Sequence, residues 1–234
     1  MDLFHFTPLE IESLRLSLWV STWAVLGSLV PGVFIAWVLA RVRFPGRALL
    51  DGIVHLPLVL PPVVTGYFLL VLMGRHGMIG GWLYDVTGFS FAFSWRGAAL
   101  AAGVMAFPLF VRAVRLSFES MDRGLEEAAH TLGAGKTRVF FTVTLPLSLP
   151  GILTGTILAF ARSLGEFGAT IAFVSNIPGE TRTLPLALYT LIQQPGGEVG
   201  AFRLCIIAVV VALFALMISD LLARRRIFLM HGRK

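Results

Sequence analysis

The sequence predicts an all-α membrane protein with about five transmembrane helices, on three observations. Of its 234 residues, 56% are hydrophobic and 14% are charged, with a mean hydropathy of +0.83; soluble domains carry about 25% charged residues. Long runs contain no Asp, Glu, Lys or Arg, and one crossing of a bilayer needs about 20 apolar residues. The basic residues collect on alternate connections, as membrane topology requires.

The first span is 16–40, uncharged throughout and long enough to cross with some tilt. The second, 52–74, carries Pro57, Pro61 and Pro62, which must break or kink its helix because proline lacks the N–H and clashes with the preceding turn. These prolines are either gating elements or ordinary membrane kinks. The third runs from 97 to about 116, with Arg112 and Arg115 expected to snorkel to the interface. The fourth, 149–174, is interrupted by Arg162 and Glu166, and the fifth, 204–223, ends in Arg224, Arg225 and Arg226.

Placing 41–51, 112–146 and the C-terminus on one side gathers 13 of the 19 Lys and Arg there. That side is the cytoplasm by the positive-inside rule, so the N-terminus lies outside and the C-terminus inside. Trp19, Trp82, Tyr84 and Trp95 then sit near outer span ends, where interfacial aromatics belong. Asp2, Glu10 and Glu12 occupy the N-terminus in place of a basic stretch, so a cleaved signal is not expected. The net charge of +6 is a topology signal, and no nucleic-acid partner is expected.

Catalytic and metal chemistry find no support. The five histidines have no ligand spacing, and no nucleophile–base arrangement stands out. Cys205 is the only cysteine, so no disulfide forms within the chain. An enzyme or assembly factor in the membrane would need a reactive constellation that is missing.

The cytoplasmic loop 117–146 carries the most information. Asp122 can cap a helix on which Leu125, Ala128, Ala129 and Leu132 form one apolar face, with Gly133 as its stop. Glu126, Glu127 and His130 take the polar side. That apolar stripe needs a cover: the protein's own helix ends, lipid, or a partner's groove. The GAGKT string at 133–137 is not a nucleotide loop. A Walker A motif would place its first glycine at His130 and follow a strand, whereas this segment reads as a helix.

In the fourth span, Arg162 and Glu166 share one helix face at i, i+4 and can pair. Charges near the bilayer centre cost about 2.5–3.5 kcal/mol each on insertion scales, so neither faces lipid. Two readings stand: Arg162, with Ser163, lines the route of an anion, or the pair fixes helix packing. Gly165 and Gly168 would admit a close neighbour.

The stretch Glu127-Ala128-Ala129, Gly133, Val143 and Leu145-Pro146 resembles the EAA loop of ABC importer permeases, with Val in place of the more usual Ile. The strings at 44–70, 131–151 and 160–185 resemble the molybdate permeases of the type I importer family, and more closely than the related sulfate permeases; the similarity extends over about 10–223. The resemblance implies a multi-pass permease of the bacterial cytoplasmic (inner) membrane with no cofactor of its own. It implies a coupling helix at Glu126, Glu127, Ala128, Ala129, Leu132 and Gly133 that docks on a separate ATPase. It also implies a second copy of the chain, two ATPase subunits carrying ATP and Mg, and an extracytoplasmic oxyanion-binding protein docking on 75–96 and 176–202. Molybdate, tungstate and sulfate are not separable on physical grounds. A secondary anion transporter is the alternative mechanism, but it leaves the EAA spacing unexplained and no duplicated half is visible.

Overall fold

The computed structural model describes residues 7–231, with side chains up to Phe214 and at Met217. All its regular elements are helices among the described residues. The side chains of Arg224, Arg225 and Arg226, together with Asp2, Arg233 and Lys234, lie outside the described set.

Helix α1 (Pro8–Arg41) starts in a capping box: the Thr7 side chain accepts from the Glu10 N–H, and Glu10 reaches back to the Thr7 N–H. Pro8 at its first position needs no donor there. Helix α5 (Trp95–Glu119) opens on Ser94, whose hydroxyl accepts from the Gly97 N–H. It is the axis of the molecule, packed by α1, by α8 (Leu145–Leu164) and by α9 (Gly168–Val174). Ala98, Ala99, Ala101, Ala102 and Ala106 lie buried along it. Small residues at such contacts let backbones approach where no hydrophobic force drives helix association.

The predicted second span is not one helix. It is split into α2 (Arg47–Val59) and α3 (Pro62–Met73), which meet at 115°. Leu60, held extended before proline (ψ 143°), turns the chain, and Pro61 and Pro62 supply no N–H to the last carbonyls of α2. The fourth span is broken too, between α8 and α9. Upstream, α7 (Lys136–Val139) leads into a π-helical turn, Phe140–Thr144, in which the Leu145 N–H reaches the Phe140 carbonyl. Pro146 follows, so the register slips where a donor is missing in any case. Helices α1, α5 and the continuous 136–164 run are long and apolar enough to cross a membrane, and α2 and α3 meet the same measure when taken together as one bent pair. The fifth predicted span falls inside α11 (Glu198–His231).

Short helices α4 (Met78–Thr87) and α10 (Leu184–Gln193) occupy the connections expected outside. The loops sort onto two ends as the topology requires. At one end, Glu180 accepts from the Trp95 N–H (3.3 Å), Ser17 accepts from the Leu184 N–H (2.6 Å), and Glu10 pairs with Arg203 (3.0 Å). Trp19 and Trp95 meet there at 5.8 Å, and Arg75 donates to the Tyr84 hydroxyl. At the other end, Arg115 does not snorkel freely. It pairs with Asp51 (3.0 Å) and Glu119 (2.8 Å), tying α2 to α5, while Arg112 is exposed.

Candidate coupling helix and membrane-embedded charge pair

Helix α6 (Arg123–Thr131) follows its local signals. The Asp122 carboxylate accepts from the Gly124 N–H (2.9 Å), and the Ala134 N–H closes back on the Ala129 carbonyl across Gly133. Gly133 adopts φ +84°, the left-handed conformation that glycine enters without a Cβ penalty. None of the nine residues of α6 is buried. Leu125 is 49% exposed, Leu132 is 88% exposed, and Ala128 is exposed beside them; Ala129 is half-buried. Among the described residues, nothing buries Leu125, Ala128 or Leu132 of the apolar stripe.

The two glutamates point to different places. Glu127 is exposed. Glu126 is turned to the bundle, where it pairs with Arg41 Nη2 at the end of α1 (3.3 Å) and accepts from the Thr144 hydroxyl (2.7 Å). Around them lies a cleft of about 350 Å³ whose lining includes Trp37, Arg123, His130 and Lys136. Gly135 precedes α7, and the GAGKT glycines serve a turn between two short helices. Neither Arg41 nor Thr144 carries a sequence signal as a partner of α6, because each is distant from Glu126 along the chain.

The second feature is the break between α8 and α9. Arg162 Nη1 lies 2.7 Å from Glu166 Oε2, and the Glu166 side chain is 2% exposed against 29% for Arg162. The other Glu166 oxygen accepts from the Ala169 N–H (2.8 Å). One buried carboxylate therefore has both oxygens engaged, which a charge removed from water requires. Ser163 is buried, with its hydroxyl 3.5 Å from the Ala102 carbonyl of α5. Gly168 packs on Pro62, so the break between α8 and α9 meets the break between α2 and α3. At Gly165, the C-cap of α8, no part of this chain among the described residues lies within 4 Å of where a β-carbon would stand.

The segment after α9 is held by its own side chains. Asn176 donates to Thr190 (2.8 Å) and accepts from Arg182 (2.9 Å), and the buried Thr181 hydroxyl accepts from the Ile177 N–H (2.8 Å). Ser175 has φ +65° and ψ −158°, a region almost confined to glycine. No pattern in the sequence marks that strain.

The family described as "Binding-protein-dependent transport system inner membrane component" matches residues 32–228. The molybdenum transport system permease protein ModB of Escherichia coli (strain K12) is 67% identical over 218 residues, covering 93% of this chain and 95% of that protein. ModB of Haemophilus influenzae is 58% identical over 217 residues, with coverages of 93% and 95%. Among solved structures, a chain of a bacterial ABC transporter involved in the import of the acidic polysaccharide alginate superposes with a TM-score of 0.73. It covers 94% of this chain and 80% of its own length at 17% identity, and so speaks for the fold alone. With its apolar crossings and this match over most of its length, the chain belongs to the inner-membrane components of binding-protein-dependent transport systems, as a multi-pass inner-membrane protein.

Proposed function

We propose that this chain is the permease subunit of an ATP-driven importer for a tetrahedral oxyanion, namely molybdate, and that partner subunits hydrolyse the ATP. The observation that carries the reading is the uncovered apolar stripe of α6 with Glu127 exposed beside it, a short helix shaped to enter a partner's groove. The relatives at 67% and 58% identity, both described as molybdenum permeases, support the substrate.

Five crossings are too few to enclose an anion path, so two copies face each other around it. Each copy offers one α6 to one ATPase subunit, which holds the ATP and Mg; this chain carries no cofactor. The excess of basic residues on the α6 side makes that side cytoplasmic, with the N-terminus outside. An extracytoplasmic binding protein delivers the anion to the segments holding α4 and α10. Closure of the ATPases moves α6 and shifts the population between inward and outward states. Within the membrane, Arg162, with Ser163 and Gly168, flanks the route. A guanidinium already neutralised by Glu166 holds an anion weakly, which suits a path that must release what it accepts.

The test is uptake of labelled molybdate at nanomolar concentration by cells with and without the gene, with excess sulfate as competitor. Uptake that disappears on deletion and resists sulfate is the expected result. Unchanged molybdate uptake in the deletion strain would remove the substrate assignment.

A further inference from the structure

Resting on the reading that α6 docks on an ATPase, we infer that Glu126 is a positioning residue that passes the movement of α6 into α1, while Glu127 faces the partner. Helix α6 buries none of its own residues, so packing does not lock it to the bundle. Its grip on α1 is electrostatic, through the Arg41–Glu126 pair at 3.3 Å. Thr144 donates to the same Glu126 oxygen, so that atom joins α6, the end of α1 and the π-helical turn.

Arg41 depends on this contact. Its side chain is 10% exposed, and its Nε and Nη2 are buried without a directional hydrogen bond among the described residues. The nearby carboxylate compensates a charge that is mostly withdrawn from water, so removing it matters more than removing a surface ion pair.

Helix α1 has the build of a strut between the two ends of the molecule. Its 34 residues extend about 50 Å at 1.5 Å per residue. At the far end the buried Glu10 pairs with Arg203 of α11 (3.0 Å), and Ser17 accepts from the first N–H of α10 (2.6 Å). Pro31 removes one hydrogen bond midway, but the adjacent Gly32 lies directly on the Phe110 ring of α5, which holds the chain at that point. A displacement of α6 therefore has a mechanical route to the segments where the binding protein docks, and Glu126 is its first joint.

The experiment uses the complete importer in proteoliposomes, with permease, ATPase and binding protein, and reads molybdate transported per ATP hydrolysed. Glu126→Gln is expected to leave ATPase co-purification intact and ATP hydrolysis running while the transport ratio falls about fivefold or more, the lower end of common allosteric couplings. Thr144→Val, which keeps the shape, should lower the ratio less. The exchange Glu126→Arg with Arg41→Glu should recover most of it, which would not follow from a general loss of folding. A normal ratio in Glu126→Gln overturns the inference and leaves the proposed function standing. Loss of ATPase binding in Glu126→Gln also overturns it, since the residue would then belong to the docking face. A wild-type permease that fails to bind the ATPase sinks the proposed function and this inference together.

Discussion

Gly168 lies against the ring of Pro62, so close that a β-carbon on Gly168 would stand 2.8 Å from Pro62 Cβ. Two helix breaks, between α2 and α3 and between α8 and α9, are fitted to each other at this contact. Gly66, one turn further along α3, is likewise pressed on the backbone of Ala169. The neighbours are a proline ring and main chain, and neither can swing aside as a flexible side chain would.

Gly168→Val should therefore destabilise the protein by about 1–3 kcal/mol, the usual cost of overpacking. Thermal unfolding of the detergent-solubilised protein measures this. Gly165→Ala, at a position with open space around it, serves as the control, with little change expected. Equal losses at the two sites would show that the fit to Pro62 is not the cause.

Arg162→Leu removes the cationic partner of a carboxylate that is 2% exposed. The loss should be roughly 3 kcal/mol, at the low end of the range for buried pairs because Arg162 itself is partly open to its surroundings. Arg162→Lys separates the two roles. If Arg162 only pairs, Lys should restore both stability and uptake; if it also meets the anion, stability returns while the apparent KM for molybdate rises. Normal transport by Arg162→Leu would dismiss both roles.

Leu132→Glu changes a side chain that is 88% exposed, so unfolding should shift by no more than about 0.5 kcal/mol. Under the proposed function its association with the ATPase should nevertheless fall sharply, because that reading has the apolar stripe enter the partner. Pull-down of the two subunits from detergent decides this, and full recovery of the ATPase with the variant would argue against α6 as the docking element.

Ser175→Gly removes a β-carbon from a backbone at φ +65° and ψ −158°. Relief of that strain should stabilise the segment by about 1–3 kcal/mol, less the extra chain entropy that glycine brings to the unfolded state. A raised Tm is the expected outcome. A lowered Tm would mean that the serine side chain contributes more than its backbone costs.

What could be read in the sequence followed the range of the interactions involved. The cap at Asp122, the stop at Gly133 and the i, i+4 pair Arg162–Glu166 are all local, and each is in its expected place. The prolines at 61 and 62 announced a break, but the 115° angle depends on how α3 packs against α9. The second break, at 165–167, falls beside the charges at 162 and 166 that interrupt the predicted fourth span, but those charges alone do not say that the helix ends there. Glu126 groups with the docking residues through the resemblance to the EAA loop, and helix periodicity gives which residues share a face without saying what lies opposite. Arg115 was read as a snorkelling cation for the same reason, since Asp51 reaches it from another helix.

A nine-residue helix with no buried residue also bears on the life of the subunit before assembly. In the proposed arrangement, α6 and its C-cap present Leu125 and Leu132 to the cytosol until a partner covers them, the kind of surface that protein quality control engages. Synthesis of the two subunits should then be matched by turnover. In cells lacking the ATPase, pulse–chase labelling is expected to show faster loss of the permease, with Leu132→Glu slowing that loss; equal half-lives with and without the ATPase would contradict it. The same exposed face would then serve twice, as the handle by which transport is driven and as the mark by which unpaired copies are removed.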